Sequence, residues 1–105
     1  MPYYVYAIEL AKAVLFEKRF RKRNPNLNTQ LPCYYIGQTS KSPNIRFDQH
    51  KKGYKSNSFV RKYGMQLEPE LYDRLNPIQS RNQAEKIEKL LAHKLQSKGY
   101  GVWWN

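Results

Sequence analysis

Residues 3–10 read YYVYAIEL, with aromatic or β-branched side chains at both odd and even positions. Side chains alternate between the two faces of a strand, so a run that is apolar at both parities needs cover on both sides. This segment is therefore expected at the centre of a sheet, not at an edge. With 105 residues the chain has length for one domain with a single modest core. The cover is then expected from helices of the same domain.

The remaining segments fit that plan. Residues 33–39, CYYIGQT, give a second strand. Between the two strands lies a basic insert at about residues 11–32, whose first half suits either a short helix or an extension of the strand. Lys18, Arg19, Arg21, Lys22 and Arg23 make it the most basic stretch, and Asn24, Pro25, Asn26 and Asn28 mark a loop. Ser42 and Pro43 open a helix as N-cap and first helical residue, and Gly53 ends it. A second short helix is read over residues 57–63, and a third strand over residues 70–75, between Pro69 and Asn76-Pro77. The clearest helix starts at Ser80, with Gln83 in a capping-box pattern, and repeats Ala84, Ile87, Leu91 and Leu95 at helical spacing up to Gly99. The aromatic tail YGVWWN is expected to pack back onto the domain. Together these elements predict an α+β fold with a small sheet covered by helices.

Charge narrows the partners. Nineteen Lys and Arg against eight Asp and Glu leave a formal net charge of +11. Such an excess repels itself in the compact state and suits a polyanionic partner, nucleic acid first, with a ribosomal or anionic membrane surface as more distant candidates. The lone Cys33 excludes an internal disulfide, and with His50 and His93 far apart no zinc spacing is present. The start of the chain lacks the pattern of a secretory signal, and no stretch reaches membrane-spanning length. A cytoplasmic setting without a membrane partner is the expectation.

Arg46 and His50 stand at i and i+4, on one face of the helix that Ser42 opens. A guanidinium there can clamp a phosphate, and an imidazole can orient phosphate or nucleophile or shuttle a proton. A solvated face that binds phosphate without cutting is the plainer reading. Glu88 lies one turn beyond Ala84 on the long helix. It can bind a hard cation or make an exposed i, i+4 ion pair, with Glu85 as a rival for either role. Charge spacing alone favours the ion pair. Tyr6 and Tyr35 fall in adjacent strands where their hydroxyls can converge, although most strand tyrosines only pack. Gly37 marks a close backbone approach or an ordinary strand end. Lys41, Lys51, Lys52, Lys55, Arg61 and Lys62, interleaved with Tyr54, Phe59 and Tyr63, read either as a nucleic-acid track or as a solvated surface over core rings.

The ordered set of these residues resembles the GIY-YIG nucleases. YVY at residues 4–6 and YIG at residues 35–37 match the two named motifs, with Tyr4 where the family usually has Gly and Val5 where it has Ile. Gln38-Thr39 follow the second motif as in many members. Arg46 and His50 in RFDQHKKG and Glu88 in QAEKIEKLLAHKL match the family's Arg, His and metal-binding Glu. The resemblance covers the chain apart from the basic insert. It implies a small central antiparallel sheet of three strands flanked by helices. It also implies a Mg²⁺ or Mn²⁺ ion at Glu88, and a water oriented or deprotonated with help from Tyr6 and Tyr35. Asn105 would correspond to an Asn that supports such sites. The expected activity is phosphodiester hydrolysis in DNA by a metal-dependent endonuclease, and a non-catalytic basic binding module on the same fold is the alternative. Rings among the lysines favour single strands, but double-stranded DNA stays open. The insert or a homodimer is where added specificity would come from.

Overall fold

The computed structural model describes residues 2–105. Strand β1, Tyr4–Leu10, leads through a 3₁₀ turn, Lys12–Phe16, into helix α1, Lys18–Arg23, and then to β2, Cys33–Thr39. Helices α2, Pro43–Lys51, and α3, Ser58–Tyr63, precede β3, Gly64–Leu67. Two 3₁₀ turns, Pro69–Leu71 and Asp73–Leu75, lead to α4, Arg81–Ser97, and β4, Gly101–Trp104. The undecided first half of the insert is thus helical.

The sheet corrects the expectation of three antiparallel strands. It has four, in the order β3-β1-β2-β4. β1 runs antiparallel to β2 and β3, whereas β2 and β4 are parallel, so the sheet is mixed. The strand expected over residues 70–75 is instead the pair of 3₁₀ turns. Tyr72 is buried there, and Leu71 and Leu75 are half-buried at a spacing of four, which suits a wound chain better than alternation. The third strand by sequence is the shorter Gly64–Leu67, and the aromatic tail supplies a fourth.

Local signals set the helix starts. Ser42 Oγ accepts from Ile45 N at 3.3 Å, Asn57 Oδ1 from Phe59 N at 2.9 Å, and Ser80 Oγ from Gln83 N at 3.2 Å. Gly53 and Gly99 close α2 and α4 with φ of +85° and +97°. The buried stripe of α4 is Ala84, Glu88, Leu91, Ala92 and Leu95, so a carboxylate sits inside an otherwise apolar row. α4 packs across β1, β2 and β4, while Phe20 of α1 and Phe59 of α3 meet Trp103. Consecutive residues of β1 and β2 are buried because both faces are covered. No described helix is long and apolar enough to cross a membrane.

Two buried or half-buried asparagines finish the sheet where strands run out. Asn76 Oδ1 accepts from Val5 N at 2.9 Å, and its Nδ2 donates to Val5 O at 2.8 Å. Asn24 does the same for β4. Its Oδ1 accepts from Val102 N at 2.9 Å and its Nδ2 donates to Val102 O at 3.0 Å, with Phe20 O and Gln96 as further partners. A side-chain amide thus stands in for a neighbouring strand, and the basic insert closes the outer edge of the sheet. Asn24→Ala strands two backbone groups of Val102 and should cost about 3 kcal/mol. A urea midpoint that falls at unchanged slope would bear this out, and an unshifted midpoint would refute it.

Candidate active site

In the β1–β2 register Tyr6 faces Gly37, and Tyr35 lies two residues away on the same face of β2. A Cβ on Gly37 would come within 2.5 Å of both Cζ and the hydroxyl of Tyr6. The bare position lets the Tyr6 phenol lie across β2, buried, with its ring centroid 6.2 Å from that of Tyr35. The Tyr6 oxygen meets His50 Nε2 at 2.9 Å.

His50 is itself fixed from behind. Asn57 N donates to its Nδ1 at 3.2 Å, so in the neutral ring the proton sits on Nε2 and is donated to the Tyr6 oxygen. Burial, with the Arg46 charge second, pushes the His50 pKa down to about 4. His50 is therefore neutral near pH 7, and its ring meets the Tyr6 phenol. Asn105 Nδ2 donates to the Tyr35 oxygen at 3.2 Å. Burial, then the charge of Glu88, raises Tyr35 to about 12, against opposing effects of Arg46 and Tyr6. Tyr6 is also raised, by burial first and then by Tyr35 and Glu88, while the charge of Arg46 pulls it down.

The Arg46 guanidinium is held by uncharged oxygens. Its Nη2 donates to Lys55 O at 2.7 Å, and its Nη1 to Tyr54 O at 3.2 Å and Gln49 Oε1 at 3.3 Å. Among the described residues no carboxylate pairs with it. The loop that supplies those carbonyls bends at Lys55, whose φ of +44° is a left-handed conformation costing about 1–2 kcal/mol for a residue with a side chain.

Glu88 and Glu85, rivals by spacing, border one cleft but differ in burial. Glu85 is exposed and pairs with Arg81, Oε1 to Nε at 3.2 Å. Glu88 is 8% exposed and has no hydrogen-bond or ion-pair partner among the described residues. Burial, with Glu85 second, lifts its pKa to about 7 against the pull of Lys89.

These groups meet where β4 stops. β4 pairs with Cys33 to Ile36 only, so it leaves the outer edge of Gly37–Thr39 uncovered. A cleft of about 600 Å³ opens there, and Tyr6, Tyr35, Gly37, Arg46, Glu88 and Asn105 line it. Arg81, Lys86 and Lys89 of α4 add positive charge at its wall. They did not stand out in the sequence, although Arg81 precedes Glu88 by two helical turns on the same face. His50 lies behind Tyr6 and reaches a second, adjoining cleft.

The proposed lysine track disperses. Lys55 lines the second cleft, whereas Lys41, Lys51, Lys52, Arg61 and Lys62 line neither of the two. Lys51 donates to Gly64 O at 2.8 Å, Lys52 pairs with Asp48, and Lys62 pairs with Glu17. Of the interleaved rings, Phe59 is core, Tyr63 donates to Glu17 at 2.5 Å, and only Tyr54 is well exposed.

Among the described residues no group of three His, Cys, Asp or Glu side chains is placed to enclose a metal. Glu88 alone suits a hard cation that takes one carboxylate and fills its shell with water and phosphate. No family model, curated protein or solved structure matches the chain. The functional reading therefore rests on these residues.

Two outcomes test the geometry. Gly37→Ala forces the Tyr6 phenol aside and should cost about 1–3 kcal/mol, with loss of the His50 Nε2–H signal expected by NMR for that hydrogen bond. An unchanged signal would show that Tyr6 does not need the bare position. In chelator, Glu88→Gln should melt above wild type at about pH 8, where an ionised carboxylate is buried without a partner. The folded pKa of about 7 exceeds the ordinary 4.5, so the native state takes up the proton first as pH falls. The advantage of the variant then shrinks from pH 7 to 4.5 and vanishes below; equal melting at pH 8 would refute it.

Proposed function

We propose that the chain is a divalent-metal-dependent endonuclease that hydrolyses phosphodiester bonds in DNA, with a GIY-YIG-like centre. One observation carries this reading: a buried Glu88 without a partner and an Arg46 without a carboxylate line the same cleft as two tyrosine hydroxyls. The two charges are not joined in an ion pair. Arg46 binds the scissile phosphate and offsets the negative charge that builds on it in the transition state. Glu88 is the residue that would hold Mg²⁺ or Mn²⁺, and such an ion would supply positive charge to acidify a water and polarise the phosphate.

The other residues prepare the proton acceptor. His50 donates to the Tyr6 oxygen, and the charge of Arg46 favours the deprotonated phenol. Burial holds both Tyr6 and Tyr35 above the ordinary phenol range, so the charge of a bound cation would be needed before either phenol could take the proton of the attacking water. Tyr35, with Asn105 donating to its oxygen, orients that water. His50 is a positioning residue in this scheme.

The test is cleavage of matched single- and double-stranded DNA with Mg²⁺ or Mn²⁺ and with chelator. The expected result is metal-dependent cleavage that Glu88→Gln abolishes while DNA binding persists. Arg46→Ala should lower kcat by about 10²–10³-fold. Absence of cleavage on every substrate would favour the non-catalytic binding module, and full activity in Glu88→Gln would overturn the metal ligand.

A further inference from the structure

The second cleft, of about 420 Å³, adjoins the first and shares Tyr35, Arg46 and Asn105 with it. Its other walls come from the basic insert, through Arg19, from the strained loop, through Lys55, Ser56 and Asn57, and from Ser58 and Trp103. No acidic side chain lines it. Three cations therefore converge on one concave surface beside hydroxyl and amide groups, with no acidic side chain among them. That composition fits an anion such as a phosphodiester and repels a cationic ligand.

Arg19 is the distinctive member. Its guanidinium carbon lies 4.9 Å from the ring centre of Phe59 and 5.5 Å from that of Trp103. Among the described residues it makes no hydrogen bond and no ion pair. Aromatic faces thus hold the cation in place without using its N–H donors. Trp103 does not offer a base-stacking platform, because Arg23 lies 3.8 Å over its ring. The cleft is built for the backbone of a strand, not for its bases. Lys55 points to the same use: its left-handed backbone is retained beside the cleft, and its carbonyl anchors the Arg46 shared by both clefts.

We infer that the second cleft binds a neighbouring phosphate of the DNA strand whose scissile phosphate lies in the first, with Arg19 and Lys55 as its ligands. This rests on the nuclease reading. The insert then does two jobs: Asn24 closes the sheet edge, and Arg19, one turn and a half earlier, positions substrate. Arg19 touches the substrate away from the reacting atoms, so its contribution is to binding and register.

The test separates this subsite from the chemistry. Binding of a DNA oligonucleotide is measured in chelator, over a range of salt, on the Glu88→Gln background. Adding Arg19→Gln should weaken binding about tenfold and reduce the salt slope by about one counterion. Lys55→Gly, which keeps the left-handed backbone while removing the charge, should act in the same direction. Lys22→Gln, an exposed cation on α1 outside the cleft, should do markedly less. Equal effects of Lys22→Gln and Arg19→Gln, or no effect of Arg19→Gln, would overturn the subsite. In the protein with Glu88 intact, Arg19→Gln should lower kcat/KM on the oligonucleotide but leave turnover of bis(4-nitrophenyl) phosphate, which has a single phosphate, unchanged. Loss on both substrates alike would show a structural role for Arg19 and also overturn the inference. If the protein cleaves nothing, the nuclease reading fails, and the binding arm still decides whether this cleft holds phosphate.

Discussion

β1 and β2 pair so that Tyr6 stands opposite Gly37, and the space that glycine leaves is filled by the Tyr6 phenol. A slip of one residue would turn Tyr6 to the other face of the sheet and put Ile36 or Gln38 in the place of Gly37. The consequences run outward from this pair. The Tyr6 oxygen reaches His50, which ties α2 to the sheet. His50 in turn accepts from the backbone of Asn57 at the cap of α3. Arg46, one turn before His50, is thereby aimed at the uncovered end of β2, where Glu88 arrives from α4. Strand register thus sets the relative position of an arginine and a glutamate far apart in sequence.

The same arrangement is unfavourable to the folded state on its own. Glu88 occupies a core position in α4 that an apolar residue would fill without an ionisation penalty. Lys55 holds a strained backbone, and a net charge of +11 adds repulsion. The compensation is spread around the site. The paired asparagine amides, the T-shaped Phe59–Trp103 contact at 4.8 Å and the guanidinium of Arg23 over Trp103 bind the insert, α3 and the C-terminal strand into one core. A site left electrostatically incomplete is then carried by its surroundings.

What could be read in the sequence follows the range of the interactions. Ser42, Asn57, Ser80, Gly53 and Gly99 act within a few residues, so helix starts and stops were legible. β1 was legible because its own composition demands two-sided burial. β3 and β4 were not, since four-residue strands have little pattern and their pairing depends on distant partners. The Leu71, Tyr72 and Leu75 cluster reads as a strand in sequence because short apolar runs do not distinguish winding from extension. At the site, Tyr6, Tyr35, Arg46, Glu88 and Asn105 do come together, but spacing could not tell Glu88 from Glu85; burial does. The lysines were legible as charge only. Their spread over Asp48, Glu17 and Gly64 O, and the convergence of Arg19 on the cleft through Trp103, depend on tertiary packing.

The placement of Arg46 bears on how such a cleft keeps opposite charges from cancelling. Its guanidinium is bound by two backbone carbonyls and a glutamine oxygen, which satisfy donors without neutralising the charge. Glu88 is largely covered by its place in α4 but opens onto the cleft, and the charge of Lys89 favours its ionised form against burial. Carbonyl anchoring of the arginine and helical fixing of the glutamate hold the two side chains as separate, unpaired charges. In the proposed reaction the cation and the phosphate then bind to preformed, uncompensated partners, and no reorganisation is needed as charge develops. The strained bend at Lys55 is the local cost of bringing its carbonyl to Arg46.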